Sequence, residues 1–86
     1  MARRDKLLER LLRRPRDFTW DELVRLLRRL GFEPAKRGKS SGSRQRFQHG
    51  ASGLAISLHR PHPQKELKRY QIDQIIDFLE RENFLG

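Results

Sequence analysis

No cysteine occurs in the sequence. Disulfides and thiolate-bound metal are therefore excluded, and a reducing cytoplasm is the expected compartment. Long apolar runs are missing too: none approaches the roughly 20 residues that span a bilayer. The N-terminus is basic, but charged residues interrupt each short apolar stretch behind it, which is not the pattern of a secretory leader. Hydrophobic residues make up only 35% of the chain and aromatics 8%. In 86 residues this leaves room for a thin core of Leu, Ile, Val and Phe. Acidic residues are the last deficit, with 11 Asp and Glu against 20 Lys and Arg and a formal net charge of +9.

The imbalance is uneven. Residues 1–69 carry 19 of the Lys and Arg against 7 acids, a net +12. Residues 70–86 carry Arg81 against Asp73, Asp77, Glu80 and Glu82, a net −3. A basic surface of that density attracts polyanions at long range and releases counterions when it binds phosphate. A lipid surface fits less well, because no segment joins a basic face to exposed Trp or Phe. Composition thus favours nucleic acid and no membrane.

Leu7, Leu8, Leu11 and Leu12 recur at helical spacing within Ala2–Arg14, and Pro15 ends that pattern. Thr19-Trp20-Asp21-Glu22 reads as a capping box, in which hydroxyl and carboxylate each satisfy a free backbone N–H. Trp20, Leu23, Leu26, Leu27 and Leu30 form the apolar stripe of the helix that follows, with Gly31 placed to end it. Short strands are expected at Phe32–Lys36, Ser43–His49 and Leu54–Leu58, the last two joined by the turn Gly50–Gly53. Arg60-Pro61-His62-Pro63 must be extended, since each proline disfavours helix in the residue before it. A final helix is expected from Gln64 or Lys65 to Asn83, with Leu67, Ile72, Ile75, Ile76 and Leu79 inward. The pattern gives an α+β domain, a three-stranded antiparallel sheet with helices on one face.

Lys36-Arg37-Gly38-Lys39-Ser40-Ser41-Gly42-Ser43-Arg44 gathers cations, hydroxyls and glycines. Such a loop suits phosphate, although a solvated hairpin loop has the same composition. It lacks the spacing of a P-loop. His59 and His62 flank Arg60-Pro61 at the exit of the third strand. Neutral imidazole can take a proton from a ribose 2′-OH, imidazolium can protonate the leaving oxygen, and Arg60 or Arg44 can stabilise the charge between them. The competing reading of either histidine is a structural or merely exposed side chain. Metal is disfavoured: the two prolines constrain the pair awkwardly, and Glu66 is the only carboxylate nearby. No cofactor is expected.

Taken in order, these residues resemble the HicA family of bacterial toxins, small ribonucleases with a fold similar to double-stranded-RNA-binding domains. The likeness runs from about Thr19 to Leu79. It rests on the helix ending Leu30-Gly31-Phe32, on Gly42-Ser43 before an Arg/aromatic strand, on Pro61-His62-Pro63, and on Leu67-Lys68-Arg69-Tyr70. The segments Gly38–Arg44 and Leu58–Pro63 resemble one branch of the family. In the better-known branch Gly-Ser is followed by a histidine held responsible for cleavage; here Arg44 follows Gly42-Ser43. The resemblance implies a dsRBD-like α-β-β-β-α domain over 19–86, preceded by a helical extension over 1–18. It further implies a bacterial cytoplasmic toxin that cleaves mRNA, and a HicB-like antitoxin partner.

Residues and resemblance together name His62 and His59 as candidate catalytic groups. Lys36, Arg37, Lys39, Ser41, Ser43, Arg44, Arg46, Arg60, Lys65, Lys68 and Arg69 are candidate RNA contacts, and no residue is assigned to metal. Two alternatives stay open: an RNA-binding module that does not cut, for which Arg44 argues, and a domain whose role is docking through Leu7, Leu8, Leu11 and Leu12.

Overall fold

The computed structural model describes residues 5–35 and 44–85. Within them the chain forms α1 (Lys6–Leu12), α2 (Trp20–Arg29), β1 (Phe32–Pro34), β2 (Arg44–His49), β3 (Ala55–His59) and α3 (Arg69–Arg81). This is an α+β fold, the dsRBD-like order α-β-β-β-α with one helix added in front.

Helix α1 starts where Asp5 accepts a hydrogen bond from the backbone N–H of Leu7 at 2.8 Å. It is shorter than the expected Ala2–Arg14, of which residues 2–4 lie outside the described residues. At its other end Arg13 caps the helix and Arg14 turns into the left-handed region at φ 53°. Helix α2 carries the expected capping box: the Thr19 hydroxyl accepts from Glu22 N–H at 3.2 Å, and the Glu22 carboxylate from Thr19 N–H at 3.0 Å. It ends at Gly31, whose φ of 100° excludes most side chains. A Cβ there would also lie 2.8 Å from Nε2 of His49.

The strands form an antiparallel meander in the order β1-β2-β3. Phe32 pairs with His49 and Pro34 with Phe47; Phe47 then pairs with Ile56, and Gln45 with Leu58. Side chains alternate across a strand, so Phe32, Phe47, Ile56 and Leu58 meet the helices and are buried. Glu33, Arg44, Arg46, Gln48, Ser57 and His59 lie on the opposite, exposed face.

The last helix departs from expectation. It begins at Arg69, not at Gln64 or Lys65, because the preceding backbone is engaged elsewhere. Trp20 N–H donates to the Lys65 carbonyl at 3.0 Å, Leu67 N–H donates to Phe18 at 2.8 Å, and Thr19 bridges Glu66. Residues 65–67 thus run as an extended partner of residues 18–20. Leu67 is buried as expected, but from this segment and not from the helix. The helix also stops at Arg81, before the expected Asn83; Asn83 takes φ 65° and Phe84 then packs on the rings of Phe32 and His49, at 5.2 and 5.1 Å.

One core joins all elements, and α1 contributes Leu8 and Leu11 to it. Asp5 pairs with Arg29 of α2 at 2.9 Å, and Arg14 with Asp73 of α3 at 2.8 Å, so ion pairs hold α1 at both ends. Leu11 is fully buried. Leu11→Ala is therefore expected to destabilise the fold by about 2–5 kcal/mol in urea unfolding; a loss below about 1 kcal/mol would show that α1 is only loosely attached.

Glu22 links the α2 cap to α1 through a 3.0 Å pair with Arg10. Burial pushes its carboxyl up, but hydrogen bonds from Arg10 and Thr19 outweigh this and hold it below its ordinary value of 4.5. Ionised Glu22 thus adds stability above that pH, and the contribution is lost as pH falls through the depressed value. Glu22→Ala should lower the thermal midpoint by about 4–8 °C at pH 7, on the scale of one lost cap. Melts repeated down to about pH 3 should show the gap narrowing; a gap independent of pH would exclude the ionic contribution.

Candidate nucleic-acid interface

The antiparallel register builds the first part of the site. Arg44 and His59 are paired residues of β2 and β3 on the exposed face, and Arg46 and Ser57 form the next pair on that face. Directly paired side chains start about 4.5–5.5 Å apart at Cβ, so Arg44 and His59 share the same patch of surface. Arg44 stands at the position where the resemblance leads one to expect a histidine; the ladder sets a histidine across from it.

The second part lies in the segment after β3. His62 lines a groove of about 390 Å³ with Arg60, Pro61, Pro63, Gln64 and Lys65, closed on one side by Trp20 and Asp21 of α2. The His62–Pro63 peptide is cis. The groove depends on the pairing of residues 65–67 with residues 18–20, which holds its far wall against the start of α2. Lys68 and Arg69 are exposed at the start of α3. Lys36, Arg37, Lys39, Ser41 and Ser43 lie outside the described residues.

Arg44 and His59 are thus brought together, as are Arg60, His62 and Lys65. Among the described residues no hydrogen bond or ring contact joins His59 to His62, and His59 does not line the groove. The third histidine is occupied. His49 Nε2 lies 3.1 Å from the Leu30 carbonyl, and Nδ1 lies 3.1 Å from the backbone N–H of Ser52. A carbonyl can only accept and an N–H can only donate, so the partners require the Nε2–H tautomer and leave neither nitrogen free for proton transfer. The ring also packs on Phe32 at 5.0 Å. His49 is a structural residue.

Sequence reasoning missed Gln71. It is the one buried polar side chain among the described residues, 3% exposed. Its Nε2 donates to the His59 carbonyl at 2.7 Å, and its Oε1 accepts from Lys68 N–H at 3.1 Å. One amide therefore caps α3 and pins the end of β3 where His59 sits. The signal was present: Gln71 lies four residues before Ile75, so it shares the inward side of α3, where a polar residue needs a partner.

Among the described residues no group of three His, Asp or Glu side chains is placed to hold a metal ion, and no helix is long and apolar enough to cross a membrane. A family model described as the HicA toxin of bacterial toxin-antitoxin matches residues 20–80, more than half of the chain. The chain belongs to the HicA toxin family. No curated protein and no solved structure gave a match. Membership makes this HicA chain a ribonuclease-type toxin of a toxin–antitoxin pair, with RNA as substrate and an antitoxin as partner. The match begins at Trp20, so α1 and the connection after it precede the matched residues.

Replacing Gln71 with Leu would leave the His59 carbonyl and the Lys68 N–H without their partner. Gln71→Leu should cost about 1–3 kcal/mol, the scale of orphaned backbone groups. Urea unfolding measures it, and an unchanged midpoint would remove Gln71 from the framework of the site.

Proposed function

We propose that this HicA-family toxin is a metal-independent endoribonuclease acting on mRNA. In this reading His62 and His59 are its acid–base pair, and Arg44 and Arg60 stabilise the phosphate under attack. The observation that carries the reading is the β2–β3 register that sets Arg44 against His59 on the open face of the sheet. A guanidinium beside an imidazole supplies charge stabilisation and proton transfer at one phosphate, and neither group needs a metal. His62 supports the same chemistry from a groove that also holds Arg60 and Lys65.

In the reaction one imidazole takes the proton of the 2′-OH as its oxygen bonds to phosphorus. The bond from phosphorus to the 5′-oxygen breaks, and the second imidazole, protonated, gives its proton to that oxygen. The products are a 2′,3′-cyclic phosphate and a 5′-hydroxyl, and DNA, lacking the 2′-OH, is not cut. Arg46, Lys65, Lys68 and Arg69, with Lys36, Arg37, Lys39, Ser41 and Ser43 of the basic loop, hold the strand through its phosphates. The same surface suits a HicB-like antitoxin with an acidic face, since an acidic partner complements a basic toxin surface and blocks RNA at once.

His62→Ala and His59→Ala should each reduce cleavage of an mRNA fragment by at least about 10²-fold with RNA binding retained, and EDTA should leave the wild type active. His49→Ala should lower the thermal midpoint and spare cleavage. Full cleavage by the His59→Ala/His62→Ala double variant would overturn the mechanism. A specific observation favours a second reading, binding without cutting: Arg44 is no proton carrier, and His59 and His62 share no contact. Purified wild type that binds but never cleaves would establish it.

A further inference from the structure

Arg14, Pro15, Arg16, Leu67 and Arg69 line a crevice of about 290 Å³ where the α1–α2 connection meets the start of α3. Two of its three arginines precede the residues matched by the family model. We propose that this crevice is a second phosphate site, which takes a backbone phosphate of the bound RNA beyond the His62 groove. The proposal rests on the RNA reading and extends it to a part of the chain that the family match leaves out.

The arrangement of the guanidiniums supports it. The Asp73 carboxylate lies 2.8 Å from Nε of Arg14 and 3.5 Å from Nε of Arg69, so one acid orients two arginines from the same side. Both contacts use Nε. Among the described residues no hydrogen bond engages the terminal nitrogens of Arg14 or Arg69, or the side chain of Arg16. The planar fork that matches a phosphate is thus left open on three side chains, against one carboxylate already in use. Arg14 is also held by its backbone: its left-handed turn directs Pro15 and Arg16 toward α3. A guanidinium fixed before binding loses less freedom on binding.

Position sets the crevice close to the first site along the chain. Lys65 lines the His62 groove and Leu67 lines the crevice, and both are held by backbone bonds to residues 18–20. Two residues of extended chain span about 7 Å. A strand leaving the groove therefore needs only a few nucleotides, at about 3.4 Å of rise each, to reach the arginines.

The test uses an uncleavable 2′-O-methyl oligoribonucleotide of about 12 nucleotides, with affinity measured between about 50 and 200 mM salt. Arg16→Ala/Arg69→Ala should bind about 10–30-fold more weakly at about 0.1 M salt, and the slope of log affinity against log salt should fall by about 1.4. The thermal midpoint should stay unchanged; Arg14 is left intact because its pair with Asp73 joins α1 to α3. Arg25→Ala/Arg28→Ala, removing two exposed cations of α2 away from the crevice, controls for net charge and should lose much less. Equal losses in both double variants, or an unchanged slope in the first, would overturn the crevice. Wild type that fails to bind the oligonucleotide at all would instead overturn the RNA reading beneath it.

Discussion

Two backbone hydrogen bonds between residues 18–20 and 65–67 fasten the start of α2 to the segment that leads into α3. The N–H groups of Trp20 and Leu67 reach across to the carbonyls of Lys65 and Phe18, and Thr19 and Glu66 form the bridge between them. Each such bond is worth only about 0.5–1.5 kcal/mol net. Their effect is geometric: they fasten a segment with two prolines, which cannot form helix, to the capped start of α2. The His62 groove, the entry angle of α3 and the cation row from Lys65 to Arg69 follow from that attachment.

Core and surface chemistry are tied to each other by the pleat of the sheet. Phe47 and Ile56 face the helices while Arg46 and Ser57, one residue away on each strand, face outward. A slip of β2 by one residue would carry Arg44 into the apolar layer and expose Phe47, and a slip of β3 would do the same to His59 and Ile56. The burial of four side chains, Phe32, Phe47, Ile56 and Leu58, therefore also fixes which cations share the open face. The thin core predicted by composition suffices because α1 adds two leucines to it and is anchored by ion pairs at both ends.

What the sequence made legible was periodic or local. The α2 stripe, its Thr19–Glu22 box and Gly31 rest on contacts between near neighbours, and the alternation in β3 shows its inward face. The start of α3 was not legible, because it is decided by residues 18–20, more than forty positions earlier. Leu67 fits a helical stripe by spacing alone, and only the competing backbone partner removes it from the helix. The same limit separates the histidines. His49, His59 and His62 are alike as letters; only the fold shows one committed through both nitrogens, one beside Arg44 and one in a groove. Gln71 was visible as a polar residue on an apolar face, but its partner, a main-chain carbonyl, carries no signature in sequence.

The contact between Gly31 and His49 has a consequence for how the molecule opens. The imidazole fills the space a side chain at position 31 would take, its Nε2–H serves a carbonyl at the end of α2, and its Nδ1 serves the turn between β2 and β3. Helix end, strand and turn are thus wired through one ring, with Gly50 N–H bonded to the Gly31 carbonyl alongside. A fluctuation that frees any one of them breaks the bonds of the others, so the corner opens as a single unit. In hydrogen exchange the amides of Gly50 and Ser52, one held by the Gly31 carbonyl and the other by the His49 ring, are expected to share one opening event.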